Sequence, residues 1–270
     1  MSKIHPTAVV EDGARLGQNV SVGACAFIGR HVTVGDGSVV HNHATLDGHT
    51  TIGRHNQLYP YSSVGTPPQD LSWTPEQDTY LVMGDSNVIR EFVTINCGTI
   101  KEPERTTRVG SHCLIMATSH IAHDCVVGDH FIMANGCMLG GHVRIGHHVV
   151  FGGMVGVHHF TSLGDYAFVG GWSRVRQDVP PFLVSDGVPL EVKNINHVGL
   201  RRGGMTEATV AEIKRAFRAR YRSDQMLSIA IRTFEQENAN LCAELKYLLQ
   251  FLKNKMEGPN GRYLESLLRK

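Results

Sequence analysis

An apolar residue recurs at every sixth position over most of the first two thirds of this chain. The series opens at Ile4 and runs unbroken through Val10, Leu16, Val22, Ile28 and onward to Val64. It resumes out of phase at Met83, Ile89 and Ile95, and again from Val109 to Val175, passing Ile121, Leu139 and Val157. Gly follows the apolar residue in 14 of these 26 hexads, where chance placement would give about 3. A period of six suits neither an amphipathic helix nor a long strand. It reads as a short strand, a corner that favours Gly because Gly lacks Cβ, then another short strand. Three hexads make one coil, successive coils pair as parallel strands, and the apolar residues stack into a continuous interior. The period alone leaves the handedness of the coil open.

Two stretches break the period. Residues 69–82 (QDLSWTPEQDTYLV) are polar and contain a proline, and residues 101–108 (KEPERTTR) are short and charged. Loops that leave a solenoid carry function or solvate a face. The first is read as functional, because Gln69 and Asp70 stand where regular stacking ends. The second is read as a solvated loop or a contact with a sister subunit.

Histidine clusters follow the coil. SHIAHDC surrounds His123, LGGH ends at His142, and VHHF surrounds His158, with separations of 19 and 16 residues, close to the 18 of one coil. Coils about 4.8 Å apart would bring these imidazoles, from three successive coils, onto one wall. Asp124 beside His123 adds the carboxylate that a histidine base needs for orientation.

The hexads stop near Asp178-Val179-Pro180-Pro181, where prolines end strand pairing. An irregular connector follows. Thr206 is then a candidate N-cap, and helical spacing of apolar residues covers 206–221, 226–238 and 241–256, with a last short helix after Gly258-Pro259-Asn260-Gly261. The expected organisation is a repeat domain over 1–190, a connector over 191–205 and a helical domain over 206–270. The segment from Arg201 to Arg222 is basic, which suits either a solvated helix face or a docking surface for an acidic partner.

With 26 basic and 25 acidic residues, net charge gives no reason to expect nucleic acid as a partner. The six cysteines form no CxxC pair. Cys113, Cys125 and Cys137 share one place in the hexad and read as small inward fillers. No apolar run reaches the length of a membrane span, and no secretory leader follows Met1, so a cytoplasmic location is expected.

Beyond the hexads, the motifs QDL (69–71), IREFVTI (89–95), SHIAHDC (119–125), LGGH (139–142), GGMVGVHHF (152–160), QDVPP (177–181) and GLRRGG (199–204) resemble those of bacterial UDP-N-acetylglucosamine acyltransferases across nearly the whole chain. The resemblance implies a mainly β fold, a left-handed parallel β-helix with a C-terminal α-helical domain. It also implies homotrimers with sites in the clefts between subunits, and no cofactor or metal. The implied reaction moves an (R)-3-hydroxyacyl chain from acyl carrier protein to the 3-hydroxyl of UDP-N-acetylglucosamine, opening lipid A biosynthesis.

By the same resemblance His123 is the general base, Asp124 the acid that orients it, and Gly141 the backbone N–H donor to the oxyanion. Gln69, Asp70, His120, His142, His158 and His159 would contact the sugar or phosphates. Asn196 and Arg202 fall in the nucleotide-binding connector, and Gly171 in the wall that limits acyl-chain length, next to Trp172. Ser72, Asn96, Val198 and Gly203 depart from the family pattern, which leaves a 3-amino sugar nucleotide open as acceptor. Other hexapeptide acyltransferase reactions also stay open. So does a trimeric scaffold or carrier-binding module without activity. A further alternative is a zinc enzyme like the γ-class carbonic anhydrases, suggested by His142 and His147 at H-x4-H spacing.

Overall fold

The computed structural model describes residues 2–221, 227–237 and 241–267. The hexads wind into a left-handed coil with three flat faces, each a parallel sheet of short strands. Among the described residues, eleven strands build the first face, from Lys3–Ile4 onward, nine the second, from Val9–Val10, and eight the third, from Arg15–Leu16. Its last pair on the first face, Leu183–Asp186 and Glu191–Ile195, is antiparallel and closes the stack. Pairing steps by 18 residues, as in Lys3 with Ser21 and Ser21 with Val39. Each hexad-opening residue points inward. Ile28, Leu46, Leu58, Ile95, Ile121 and Leu139, among others, are buried and form one continuous core. Cys113, Cys125 and Cys137 fill it too, and burial pushes the Cys125 thiol up to about 12 and the Cys113 thiol to about 11, so they are inert packing.

Both interruptions of the period emerge at the same edge, the vertex between the second and third faces. Across the first, His49 pairs with Tyr80, and across the second, Tyr80 pairs with Thr106. The coil therefore keeps its register and extrudes the extra residues. Those loops stack directly beneath the turns 122–124, 140–142 and 158–160 of later coils, which leave the same vertex. Each such turn places one residue in the left-handed backbone region: Asp124 (φ 59°), His142 (62°) and Phe160 (59°). L-residues rarely adopt it, but here the tightness of the corner demands it.

Beyond the coil lie, among the described residues, five α-helices: α1 (His197–Arg202), α2 (Glu207–Tyr221), α3 (Leu227–Glu237), α4 (Ala243–Glu257) and α5 (Tyr263–Leu267). Thr206 caps α2 as expected, its hydroxyl accepting from Thr209 N at 3.1 Å. Met226 and Asn238, the ends expected for α3, lie outside the described residues, as does Arg222 of the basic segment. Val210, Ile213, Phe217, Leu245, Leu248 and Leu252 pack with Phe182 and Leu183 into a second core. The helices are tied to the coil by Lys255 Nζ donating to Asp178 O (2.7 Å) and Tyr263 N donating to Asp178 Oδ2 (2.8 Å). Among the described residues, no helix is long and apolar enough to cross a membrane.

Candidate active site

The chemistry gathers at the vertex between the second and third faces. Strand His120–Ile121 delivers His123 and Asp124 to the turn, and the next coil delivers Gly141 and His142 above them. His123 Nδ1 lies 2.9 Å from Asp124 Oδ2. A carboxylate only accepts, so Nδ1 carries the hydrogen and Nε2 is left with its lone pair free. Asp124 is fully buried as a side chain and is held by the second loop: Thr99 N donates to Oδ1 at 2.8 Å and Thr99 Oγ1 to Oδ2 at 2.6 Å. Burial works to raise its pKa, but the hydrogen bonds from His123 and Thr99 outweigh it and hold the carboxyl below its ordinary value.

Gly141 stands across the ring of His123. A Cβ at Gly141 would come within 2.5 Å of His123 Cε1 and 2.8 Å of Nε2, so only glycine lets the imidazole occupy this position. Among the described residues the Gly141 N–H has no acceptor within the chain. It is an idle donor beside a free lone pair, which is what an acyl-transfer site requires.

His142 is buried, its Nδ1 2.8 Å from Glu102 Oε1 and its Nε2 3.8 Å from Asp124 Oδ2. His120 bonds Thr94 Oγ1 through Nδ1 (2.7 Å), and burial, with His123 as a minor contributor, lowers its pKa. His158 sits one coil above Gly140, its Nδ1 donating to His159 O at 2.9 Å. Together with Gln69, His120, His123, Gly141 and Arg174 it lines an open cleft of about 480 Å³. The imidazoles of His123 and His142 meet edge to face instead of stacking as a column. His159 is exposed at the rim, its pKa lowered by burial and by His158.

The second loop is exposed over residues 103–105, but its start turns toward the site. Thr99 fixes Asp124, Lys101 forms an ion pair with Asp70, and Glu102 holds His142. The Lys101 hydrogen bond, helped by Ser72 N (2.9 Å) and Oγ (2.8 Å), keeps the Asp70 carboxyl well below the usual carboxylate range. Periodicity could not reveal these three residues, because side-chain hydrogen bonds between an insertion and a coil carry no six-residue signal. Thr94, Arg174 and Arg176 were missed as well. All three sit at or near outward strand positions, and that alternation was legible.

Other expected site residues lie elsewhere. Asn196 caps α1, accepting from Gly199 N (3.0 Å) and donating to Tyr166 O (2.8 Å), and so sits by the vertex between the third and first faces. Arg202 is exposed at the end of α1. Within this chain neither joins the histidines. Gly171 is exposed at the vertex between the first and second faces, where a Cβ would meet only the backbone of Gly152 and Gly153, nearest Gly153 O at 3.1 Å, and Trp172 beside it is 75% exposed. Three of the departures, Ser72, Asn96 and Gly203, have local reasons. Gly203 leaves room for the Tyr166 ring, which a Cβ would meet at 2.3 Å. Asn96 ties down the base of the first loop, donating to Pro67 O at 3.0 Å. Val198 is exposed, and nothing in the structure explains it.

His142 and His147 leave the coil at different vertices, His147 lying by Asp129 at 3.5 Å, so the H-x4-H spacing gathers no ligand pair. His123, Asp124 and His142 do present ligand atoms within 4.8 Å of one another. Two imidazoles and a carboxylate suit a metal by distance. Each of their inner nitrogens, however, is already turned to a carboxylate.

A hexad coil whose buried carboxylate orients an imidazole opposite an idle backbone donor defines a hexapeptide-repeat transferase. A family model for bacterial transferase hexapeptides of six repeats matches residues 106–141, and one for domain 2 of UDP-N-acetylglucosamine O-acyltransferase matches residues 178–259. The acyl-[acyl-carrier-protein]–UDP-N-acetylglucosamine O-acyltransferase of Paracidovorax citrulli is 50% identical over 96% of this chain and 99% of its own. That of a Sulfurovum species is 45% identical over 96% and 97%. The crystal structure of the Bacteroides fragilis UDP-N-acetylglucosamine acyltransferase superposes with a TM-score of 0.88 at 32% identity, covering 93% of this chain and 97% of that one. The Moraxella catarrhalis enzyme gives 0.85 at 35%, covering 93% and 96%. The chain belongs to the UDP-N-acetylglucosamine O-acyltransferase family.

Proposed function

We propose that this chain transfers an (R)-3-hydroxyacyl group from acyl carrier protein to the 3-hydroxyl of UDP-N-acetylglucosamine, the first step of lipid A biosynthesis. The observation that carries this reading is the His123–Asp124 pair with its free Nε2 facing Gly141. A sugar hydroxyl is a poor nucleophile. His123 Nε2 takes its proton as the oxygen attacks the thioester carbon. The carbonyl oxygen becomes an oxyanion and accepts from the Gly141 N–H. Collapse breaks the C–S bond, and the proton on His123 goes to the departing thiolate. Asp124, fixed by Thr99, keeps His123 in the productive tautomer and stabilises the imidazolium.

Gln69, Asp70, His120, His142, His158 and His159 are read as sugar and phosphate contacts, and Gly171 as part of the wall that meets the acyl tail. Asn196 and Arg202 are read as contributions of a neighbouring subunit to the nucleotide site, because neither reaches the cleft of its own chain. A homotrimer with clefts between subunits follows from that reading. The division into a coil over 1–190, a connector over 191–205 and a helical part over 206–270 belongs to it too. So does a cytoplasmic location, where carrier thioesters and sugar nucleotides are made. The exposed Lys214 and Arg218 of α2 suit an acidic carrier protein.

Transfer from 3-hydroxyacyl carrier protein tests the proposal, comparing UDP-N-acetylglucosamine with its 3-amino analogue. Ester formation on the hydroxyl sugar is the expected result. Transfer to the amine alone would keep the mechanism and change the acceptor, and transfer to neither would overturn the reading.

A further inference from the structure

A second cavity, also of about 480 Å³, lies past the last full coil, between it and the C-terminal helices. Arg174 and Arg176 line both this cavity and the active-site cleft, so the two spaces meet at these side chains. Four cations, Arg174, Arg176, Lys255 and Arg262, surround a single carboxylate, Asp178. That carboxylate is already committed, its two oxygens accepting from Ser162 N (2.7 Å) and Tyr263 N (2.8 Å). Lys255 and Arg262 are committed as well, donating to Asp178 O (2.7 Å) and Arg176 O (2.9 Å). Arg174 and Arg176 are exposed, and among the described residues their guanidiniums have no ion pair or hydrogen bond. The facing wall is apolar, built from Val188, Pro189, Leu190 and Val192.

We infer that Arg174 and Arg176 bind the phosphodiester of the donor's phosphopantetheine arm. This rests on the acyl-transfer reading above, which puts the thioester between His123 and Gly141. The register Met138, Gly156, Arg174 sets Arg176 two coils above Gly140, the neighbour of Gly141, about 10 Å along the axis at 4.8 Å per coil, a span an extended pantetheine covers. A phosphodiester accepts the forked guanidinium donors, and the pantoyl methyls next to it match the apolar wall. The acceptor's phosphates are flanked by a ribose and a sugar, which have no use for that wall.

Binding of 4′-phosphopantetheine and of unphosphorylated pantetheine to the full-length protein tests the inference by calorimetry. Wild type should prefer the phosphorylated compound by about tenfold or more. The double variant Arg174→Gln/Arg176→Gln should lose that preference with its thermal midpoint unchanged. No preference in wild type, or a preference that survives in the folded double variant, overturns the inference. With 3-hydroxyacyl thioesters of the same two compounds, the double substitution should raise KM for the phosphorylated donor alone. A rise in KM for UDP-N-acetylglucosamine instead would move the contact to the acceptor and overturn the assignment. Phosphate-dependent binding without any acyl transfer would uphold the site and count against the acyl-transfer reading.

Discussion

Two vertices of the same coil carry histidines at coil spacing, and they differ in what surrounds the rings. Between the third and first faces, His112, His130, His148 and Tyr166 stack ring on ring at 5.0, 4.5 and 4.6 Å, nearly parallel. Between the second and third faces, His123 and His142 meet edge to face at 5.2 Å. Each of these two rings is gripped at Nδ1 by a carboxylate. The ladder is what repetition produces by itself, one residue type at one left-handed corner position (φ 59°, 58° and 56° at His112, His130 and His148). The site needs something repetition cannot supply. Insertions extruded at one vertex set Thr99 and Glu102 against residues of later coils and Lys101 against Asp70 of the other loop, and they bury a carboxylate where the ladder has none.

The sharpest way to break this contrast is to disturb the side that carries the chemistry. Gly141→Ala should lower kcat about a hundredfold, because the new methyl displaces the His123 ring and misplacement by about 1 Å is worth that much; steady-state transfer on a folded variant checks it. Asp124→Asn should lower kcat about thirtyfold, with sugar-nucleotide binding retained in calorimetry, and an unchanged rate would end its orienting role. Glu102→Gln keeps an acceptor for His142 Nδ1 and loses only charge. Its expected effect is a rise of about threefold in KM for the sugar nucleotide with kcat held.

The smallest effect belongs to the ladder and concerns stability. Burial first, then the neighbouring His130 and His147, lower the pKa of His148. Folded, His148 thus takes up a proton at lower pH than it does in the unfolded chain, where a histidine titrates near 6.5. Its contribution to stability is complete above that value and declines as pH falls toward the folded one. The thermal midpoint should drop between pH 7 and pH 5, and less so in His148→Phe, which keeps the stack without the titration. Equal drops in both would remove His148 from the account.

Much of this was legible in the chain itself. The apolar residue at every sixth position sufficed for coil, faces and core, since inward packing is periodic. Histidine spacing near 18 located the vertex, and the adjacency of His123 and Asp124 gave the pair. The inward contacts of the second loop were not legible, because charge in KEPERTTR looks the same whether it meets water or meets Asp70 and His142. Thr99 lies 25 residues from Asp124, a separation that the insertion has moved off the coil period. Asn196 has an evident local duty as the cap of α1, which sequence pattern could not separate from ligand contact. H-x4-H gathers no ligand pair within this chain because five residues along this coil turn a corner and set the two rings at different vertices.

One assay puts both vertices to the test together: kcat/KM for acyl transfer to UDP-N-acetylglucosamine by His123→Ala and by His130→Ala, each verified as folded. Loss of at least about a hundredfold for His123→Ala, with His130→Ala within about twofold of wild type, is the predicted result. Equal losses, or a His123→Ala protein that keeps most of its activity, would contradict the claim that the inserted loops and the buried Asp124 make this vertex the site.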